Sequence, residues 1–259
     1  MIFLVLPVRI GHNKTSPTCG VPQAQKPFVS NHDGFCFMVI SMRTNVYIDG
    51  FNLYYRLLRE NPQFKWLDLK ALSTELLQPQ NRIQTVRYYT ARISGRVDPS
   101  APARQQIYLD ALKTVPEITI HLGSFLVTKP WAGLVHPPQM RGGTVPQFSP
   151  PFPAVAKVWK TEEKGSDVNL GSHLVRDAFQ GRFDVAAVLS NDTDLVEPIR
   201  IVAEELGLPV GLLCPVPKPA GGLASVSSFI RHIRDQHLQA AQFPDTISGT
   251  TIARPSTWR

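Results

Sequence analysis

The stretch Val185-Ala186-Ala187-Val188-Leu189-Ser190-Asn191-Asp192-Thr193-Asp194 decides the fold, and Val46-Tyr47-Ile48-Asp49-Gly50-Phe51-Asn52 repeats its pattern far upstream. Each is a short apolar run containing β-branched residues that ends abruptly in a carboxylate. Runs of this length read as buried strands, and open α/β sheets place their chemistry beyond the carboxyl ends of such strands. Asp49, Asp192 and Asp194 are therefore predicted to converge. Carboxylates repel one another at close range, so a convergent set implies a bound hard cation.

Outward from these two runs the chain alternates. Strands are predicted over 45–48, 83–93, 118–122, 155–161, 185–189 and 209–214. Helices are predicted over 51–59, 68–77, 100–115, 167–179, 195–206 and 225–238, the second opened by Asp68 as a cap. Such alternation predicts a mostly parallel sheet with helices on both faces. Residues 1–41 carry Pro7, Pro17, Pro22 and Pro27 without a sustained period, and are set aside as disordered or as an upstream extension. The domain proper spans 42–240, and 241–259 reads as a flexible tail. Within the domain, 129–153 holds seven prolines and Gly142-Gly143, a composition that predicts an irregular functional loop or a disordered excursion.

The totals bound the function. A chain of 259 residues with 43% hydrophobic content builds a soluble core, and no apolar run is long enough to span a bilayer. Residues 1–7 are apolar but lack the basic flank and cleavage site of a secretion signal. Cys19, Cys36 and Cys214 have no metal-type spacing, which suits a reducing cytoplasm. The formal charge of +7 favours anionic partners, while the suspected site is acidic.

All but one of these acids have a plainer use. Asp49-Gly50 also makes a turn, and Asn52 caps the helix after it as readily as it orients a water. Asp194 is well placed as a cap, whereas Asp192 has no evident local duty. A third element, Lys164-Gly165-Ser166-Asp167-Val168, puts Asp167 in the first turn of a helix, where the dipole already favours a carboxylate. Around these lie Arg92, Arg96, Lys129, Lys160 and Lys164 as candidates for gripping a substrate, with Phe125, Trp131, Phe148 and Trp159 interleaved as stacking platforms or as core.

Taken in order, Ile48-Asp49-Gly50-Phe51-Asn52, Lys164-Gly165-Ser166-Asp167-Val168 and Ser190-Asn191-Asp192-Thr193-Asp194 resemble the NYN domains of the PIN-like nuclease superfamily. The resemblance covers roughly residues 44–238. It implies a Rossmann-like, PIN-like three-layer α/β sandwich and a ribonuclease that holds Mg²⁺ or Mn²⁺ at Asp49, Asp167, Asp192 and Asp194, with Asn52 beside them. Single-stranded RNA is then the partner, with no membrane role, and a homodimer is compatible with the chain. Two departures stand out: His173 occupies a place where many relatives carry another Asp, and Asn191 replaces a glycine. They favour, as the alternative, a catalytically weak RNA-binding or regulatory module. A phosphatase of the haloacid dehalogenase type needs a second Asp two residues after Asp49, where Phe51 stands.

Overall fold

Strand β1 (Met42–Asp49) is the middle strand of a seven-stranded sheet, in a computed structural model that describes residues 41–258 apart from 96, 97, 136–150 and 152. The other strands are β2 (Asn81–Ala91), β3 (Ile118–Thr128), β4 (Trp131–Gly133), β5 (Val155–Lys157), β6 (Lys160–Lys164), β7 (Val185–Leu189), β8 (Val210–Cys214) and β9 (Phe229–His232). The sheet order is β6-β3-β2-β1-β7-β8-β9, and every pairing is parallel except that of β6 with β3. β4 and β5 form a separate antiparallel ribbon.

The helices are α1 (Gly50–Leu53), which continues into a π-helical turn over Tyr54–Leu58, α2 (Leu69–Leu76), α3 (Ala101–Lys113) and α4 (Ser166–Phe179). After them come α5 (Val196–Arg200), continued by a π-helical turn over Ile201–Glu205, α6 (Gly221–Val226) and α7 (Asp235–Ala240). Side chains alternate faces along a strand, so β1 sends Val46 and Ile48 to one side and Tyr47 to the other. Val46, Ile48, Tyr88 and Leu189 pack with Leu53, Leu72, Leu112 and Leu238 in one core. Tyr47, Tyr89 and Val188 pack with Leu170, Leu174, Ile199 and Leu223 in the second. Burial on both faces is why β7 and β8 read as unbroken apolar runs. The protein is thus a mixed α/β fold with a large, mostly parallel sheet flanked by helices. Among the described residues no helix is long and apolar enough to cross a membrane.

Four expectations need correction. The helix expected over 225–238 is instead α6, the edge strand β9 and α7. Ser227 and Ser228 interrupt it, and Ser228 donates its amide to the Val210 carbonyl (2.8 Å), starting the ladder to β8. Gly211 makes the approach possible, since a Cβ there would lie 2.1 Å from the Phe229 ring. The strand expected over 155–161 is two strands, and β3 runs past Leu122 to Thr128 because β6 pairs with its far half. The proline-rich stretch carries regular structure at its start, in β4.

The tail expected from residue 241 is packed. Trp66 is fully buried, with Phe243 at 5.7 Å and Trp258 at 6.3 Å between ring centroids. Its indole N–H donates to the Pro244 carbonyl (2.8 Å), and the Asp68 amide donates to the Ala241 carbonyl (2.8 Å). Two aromatic anchors hold a segment whose proline and polar content reads as loose.

Candidate active site

β1 and β7 are neighbours, with Ile48 opposite Leu189, so Asp49 and Ser190 leave the sheet side by side. The strand order turns back on itself between these two strands. Asp49 is buried and fully engaged. Its Oδ1 accepts from the amides of Phe51 and Asn52 (3.0 Å each), and its Oδ2 accepts from Asn52 Nδ2 (2.6 Å) and Ser190 Oγ (2.8 Å). Four donors saturate a carboxylate that has about four lone-pair sites. Gly50 is required there, because a Cβ would meet the Tyr89 carbonyl oxygen at 2.5 Å.

The network spreads across the carboxyl edge. Asn52 Oδ1 accepts from the Asn191 amide (3.3 Å), and Asn191 Oδ1 accepts from the Ala220 amide ahead of α6 (2.8 Å). Ser190 Oγ accepts from the Asp192 amide (3.0 Å), and Asp192 Oδ1 accepts from the Asp194 amide (3.0 Å) as a cap. Asp194 itself is exposed. Replacing Ser190 with Ala strips one donor from buried Asp49. We expect a loss of about 1–3 kcal/mol in urea unfolding, the cost of an under-satisfied buried group.

Asp167 enters from the opposite side. β6 ends at Lys164, Gly165 turns the chain in a left-handed conformation (φ 103°), and α4 begins. The Asp167 carboxyl is pushed up to about 6, first by burial and then by Asp49, Asp192, Glu163 and Asp194 in that order. Asp167 is thus within electrostatic reach of the other three predicted aspartates and of a further acid, Glu163. Its Oε1 accepts from the Ser166 amide (3.1 Å) and hydroxyl (2.8 Å), in the space that a Cβ on Gly123 would occupy. Glu163 sits in the charge run Glu162-Glu163-Lys164, and nothing local in the sequence reveals that Gly123 makes room for it.

The cation expectation fails. Among the described residues, no three His, Cys, Asp or Glu side chains are placed to hold an ion. Asp49 is committed to protein donors, and Asp192 spends an oxygen on a cap. The Mg²⁺ or Mn²⁺ expected from the convergence of acids is therefore corrected. The acids stay together because hydrogen bonds hold them and because Asp167 can take up a proton.

Several of the basic candidates are engaged by other partners. Lys160 and Lys164 both pair with Glu162, the latter at 3.2 Å, and Arg92 bonds Gln106 on α3. Lys129 lies 4.0 Å above the Trp159 ring, which is exposed, and Arg96 falls outside the described residues. His173 bonds the Tyr89 hydroxyl (3.0 Å), and Asp177 is held by arginines, so Asp177 does not supply the acid missing at His173. What borders the acids is aromatic. Phe51 meets Phe125 edge-on at 5.9 Å and stacks with Tyr55 at 6.4 Å.

Fold and site define a mixed α/β protein with acids and neighbouring aromatic rings at the turning point of its sheet. Over 244 residues the chain is 29% identical to a protein of Pseudomonas putida named 6-hydroxy-3-succinoylpyridine 3-monooxygenase, a match covering 84% of this chain and 75% of the relative. No protein-family model matches the chain. Among solved structures, a Vibrio parahaemolyticus protein of unknown function aligns with a TM-score of 0.44 and 17% identity, covering 76% of this chain and 95% of that one. The resemblance to NYN nucleases is corrected by these findings: no family model supports it, and a relative aligned over most of the chain is named as an oxygenase. The ribonuclease expectation, and the weak RNA-binding module kept beside it, are withdrawn with that resemblance.

Proposed function

We propose that the protein is an oxidative enzyme of the monooxygenase type, acting on a small hydroxylated aromatic ring seated between the turns after β1 and β7. The observation that carries this reading is the 244-residue match to a monooxygenase whose named substrate is a hydroxypyridine with an acyl chain. Strand order adds support. Counting the parallel strands alone, it runs third, second, first, fourth, fifth, sixth, the Rossmann order, in which ligands bind at the switch point.

The chemistry suits the side chains. A ring hydroxyl that loses its proton feeds electrons to its ortho and para carbons, where oxygen is inserted. Asp167, titrating near neutrality, is the base for that proton. Phe51 and Phe125 supply an aromatic wall for the ring. The overall balance is ring–H plus O₂ plus two electrons and two protons, giving ring–OH and water, so a two-electron reductant must be supplied.

A dinucleotide or flavin pyrophosphate does not fit the β1 turn. That turn lacks a Gly-x-Gly-x-x-Gly run, its glycine at 50 is taken up by contact with the Tyr89 carbonyl, and Asp49, Asp167 and Asp192 would repel phosphate. The reductant is read as a separate reactant, and no step is assigned to it. The test supplies reduced nicotinamide or reduced flavin with a hydroxypyridine under ¹⁸O₂. One labelled oxygen per product ring is expected. Oxidation of the reductant without label in the ring would overturn the proposal.

A further inference from the structure

Further along α4 lies a second set of ionisable groups that the proposed chemistry does not use. Asp177 is fully buried, and it accepts from the Tyr47 hydroxyl (3.0 Å), Arg87 Nε (2.9 Å), Arg176 Nη2 (2.9 Å) and Arg182 Nη1 (3.2 Å). One carboxylate therefore faces three guanidiniums, and among the described residues none of the three has another acid partner. The cluster carries two positive charges in excess.

Two imidazoles stand beside it. His121 on β3 and His173 on α4 have ring centroids 4.6 Å apart. Tyr89 stacks on His121 at 4.9 Å, and its hydroxyl is 3.0 Å from His173 Nδ1. Arg87 Nη1 lies 3.4 Å from His121 Nε2. Burial lowers both imidazoles, His121 to about 4; His121 is lowered further by His173, and both are lowered by Arg87 and Arg176, while Asp177 is the one acid acting against the trend. Both rings are thus neutral at pH 7, each with one N–H to donate. Arg87 is largely buried, whereas Arg176 is 42% exposed, so the cluster is desolvated inside and open outside.

Excess guanidinium charge, the guanidinium N–H groups not spent on Asp177 and neutral imidazole N–H groups match a planar oxyanion. We propose that Arg87, Arg176, His121 and His173 form a carboxylate-binding site. His173 follows Asp167 by six residues, a rise of about 9 Å along the helix. The site takes the acidic end of a side chain on the ring substrate, an assignment that rests on the oxygenase reading. The binding of a carboxylate does not.

The experiment follows the imidazole protons of the full-length protein by NMR as succinate is added, against chloride at equal ionic strength. Saturable shifts of His121 and His173 are expected, with both titrating at higher pH once succinate is bound. Arg176→Gln should weaken succinate about tenfold, the worth of one charge-assisted contact. That variant leaves Asp177 with Arg87, Arg182 and Tyr47, so its fold is retained. His173→Gln provides a second variant and should weaken succinate as well. An absence of saturable shifts, or an Arg176→Gln protein that titrates like the parent, overturns the site. Displacement of succinate by 6-hydroxy-3-succinoylpyridine assigns the site to the substrate's own chain. Binding of that compound without displacement assigns it to a free carboxylate. The titration involves no turnover, so failure of the oxygenase reading leaves it legible.

Discussion

Asp167→Asn is expected to lower turnover of a hydroxypyridine by about 10²–10⁴-fold, the usual contribution of a positioned proton acceptor. The parent's kcat/KM should rise through pH 6, where the raised Asp167 carboxyl ionises, and level off above it. The Asn variant should lose that ascending limb. Stability moves the other way. A carboxyl raised from 3.8 to about 6 is ionised in the unfolded chain before it is in the folded one, so it costs stability as pH climbs between those values. Asn removes this cost. Above pH 6 the variant should unfold later by on the order of 1 kcal/mol after allowance for solvent screening, and the gain should vanish below the unfolded value. A variant that keeps the parent's rate and pH profile would rule Asp167 out as the base.

The second large effect concerns the tryptophan beneath the carboxyl-terminal segment. Trp66→Ala is expected to cost about 3–5 kcal/mol in denaturant unfolding, the range for deleting a buried aromatic. The loss should be felt beyond residue 66, because Phe243 and Trp258 both rest on that ring and the Pro244 carbonyl accepts its N–H. Proteolysis should then cut within 243–258 in the variant and spare it in the parent. A parent that is clipped there as readily would contradict the packing.

These cases mark how far the sequence could be read. β7 was legible to the residue because five buried apolar positions in a row allow little else. The places of Asp49, Asp167 and Asp192, each at the end of a strand or the start of a helix, were legible too. What those acids do was not. Asp49 is saturated by donors three residues and 141 residues away, and the longer link exists only once β1 and β7 are adjacent. A short motif that caps a helix and one that grips a cation share the same letters. β9 was hidden by helix-like spacing between 225 and 238, because its alternation spans four residues and needs Gly211 opposite. The arginine and histidine cluster was invisible because β2, β3 and α4 contribute to it from three stretches that are unremarkable in isolation.

The bridges joining Asn52 to Asn191 and Asn191 to the Ala220 amide have a bearing on protein engineering. Three turns, after β1, after β7 and before α6, are laced into a single rim. A graft that transplants the turn after β7, which carries Asn191, would break both bridges, and one that transplants either of the other two would break one. Only the three moved together would carry the rim intact.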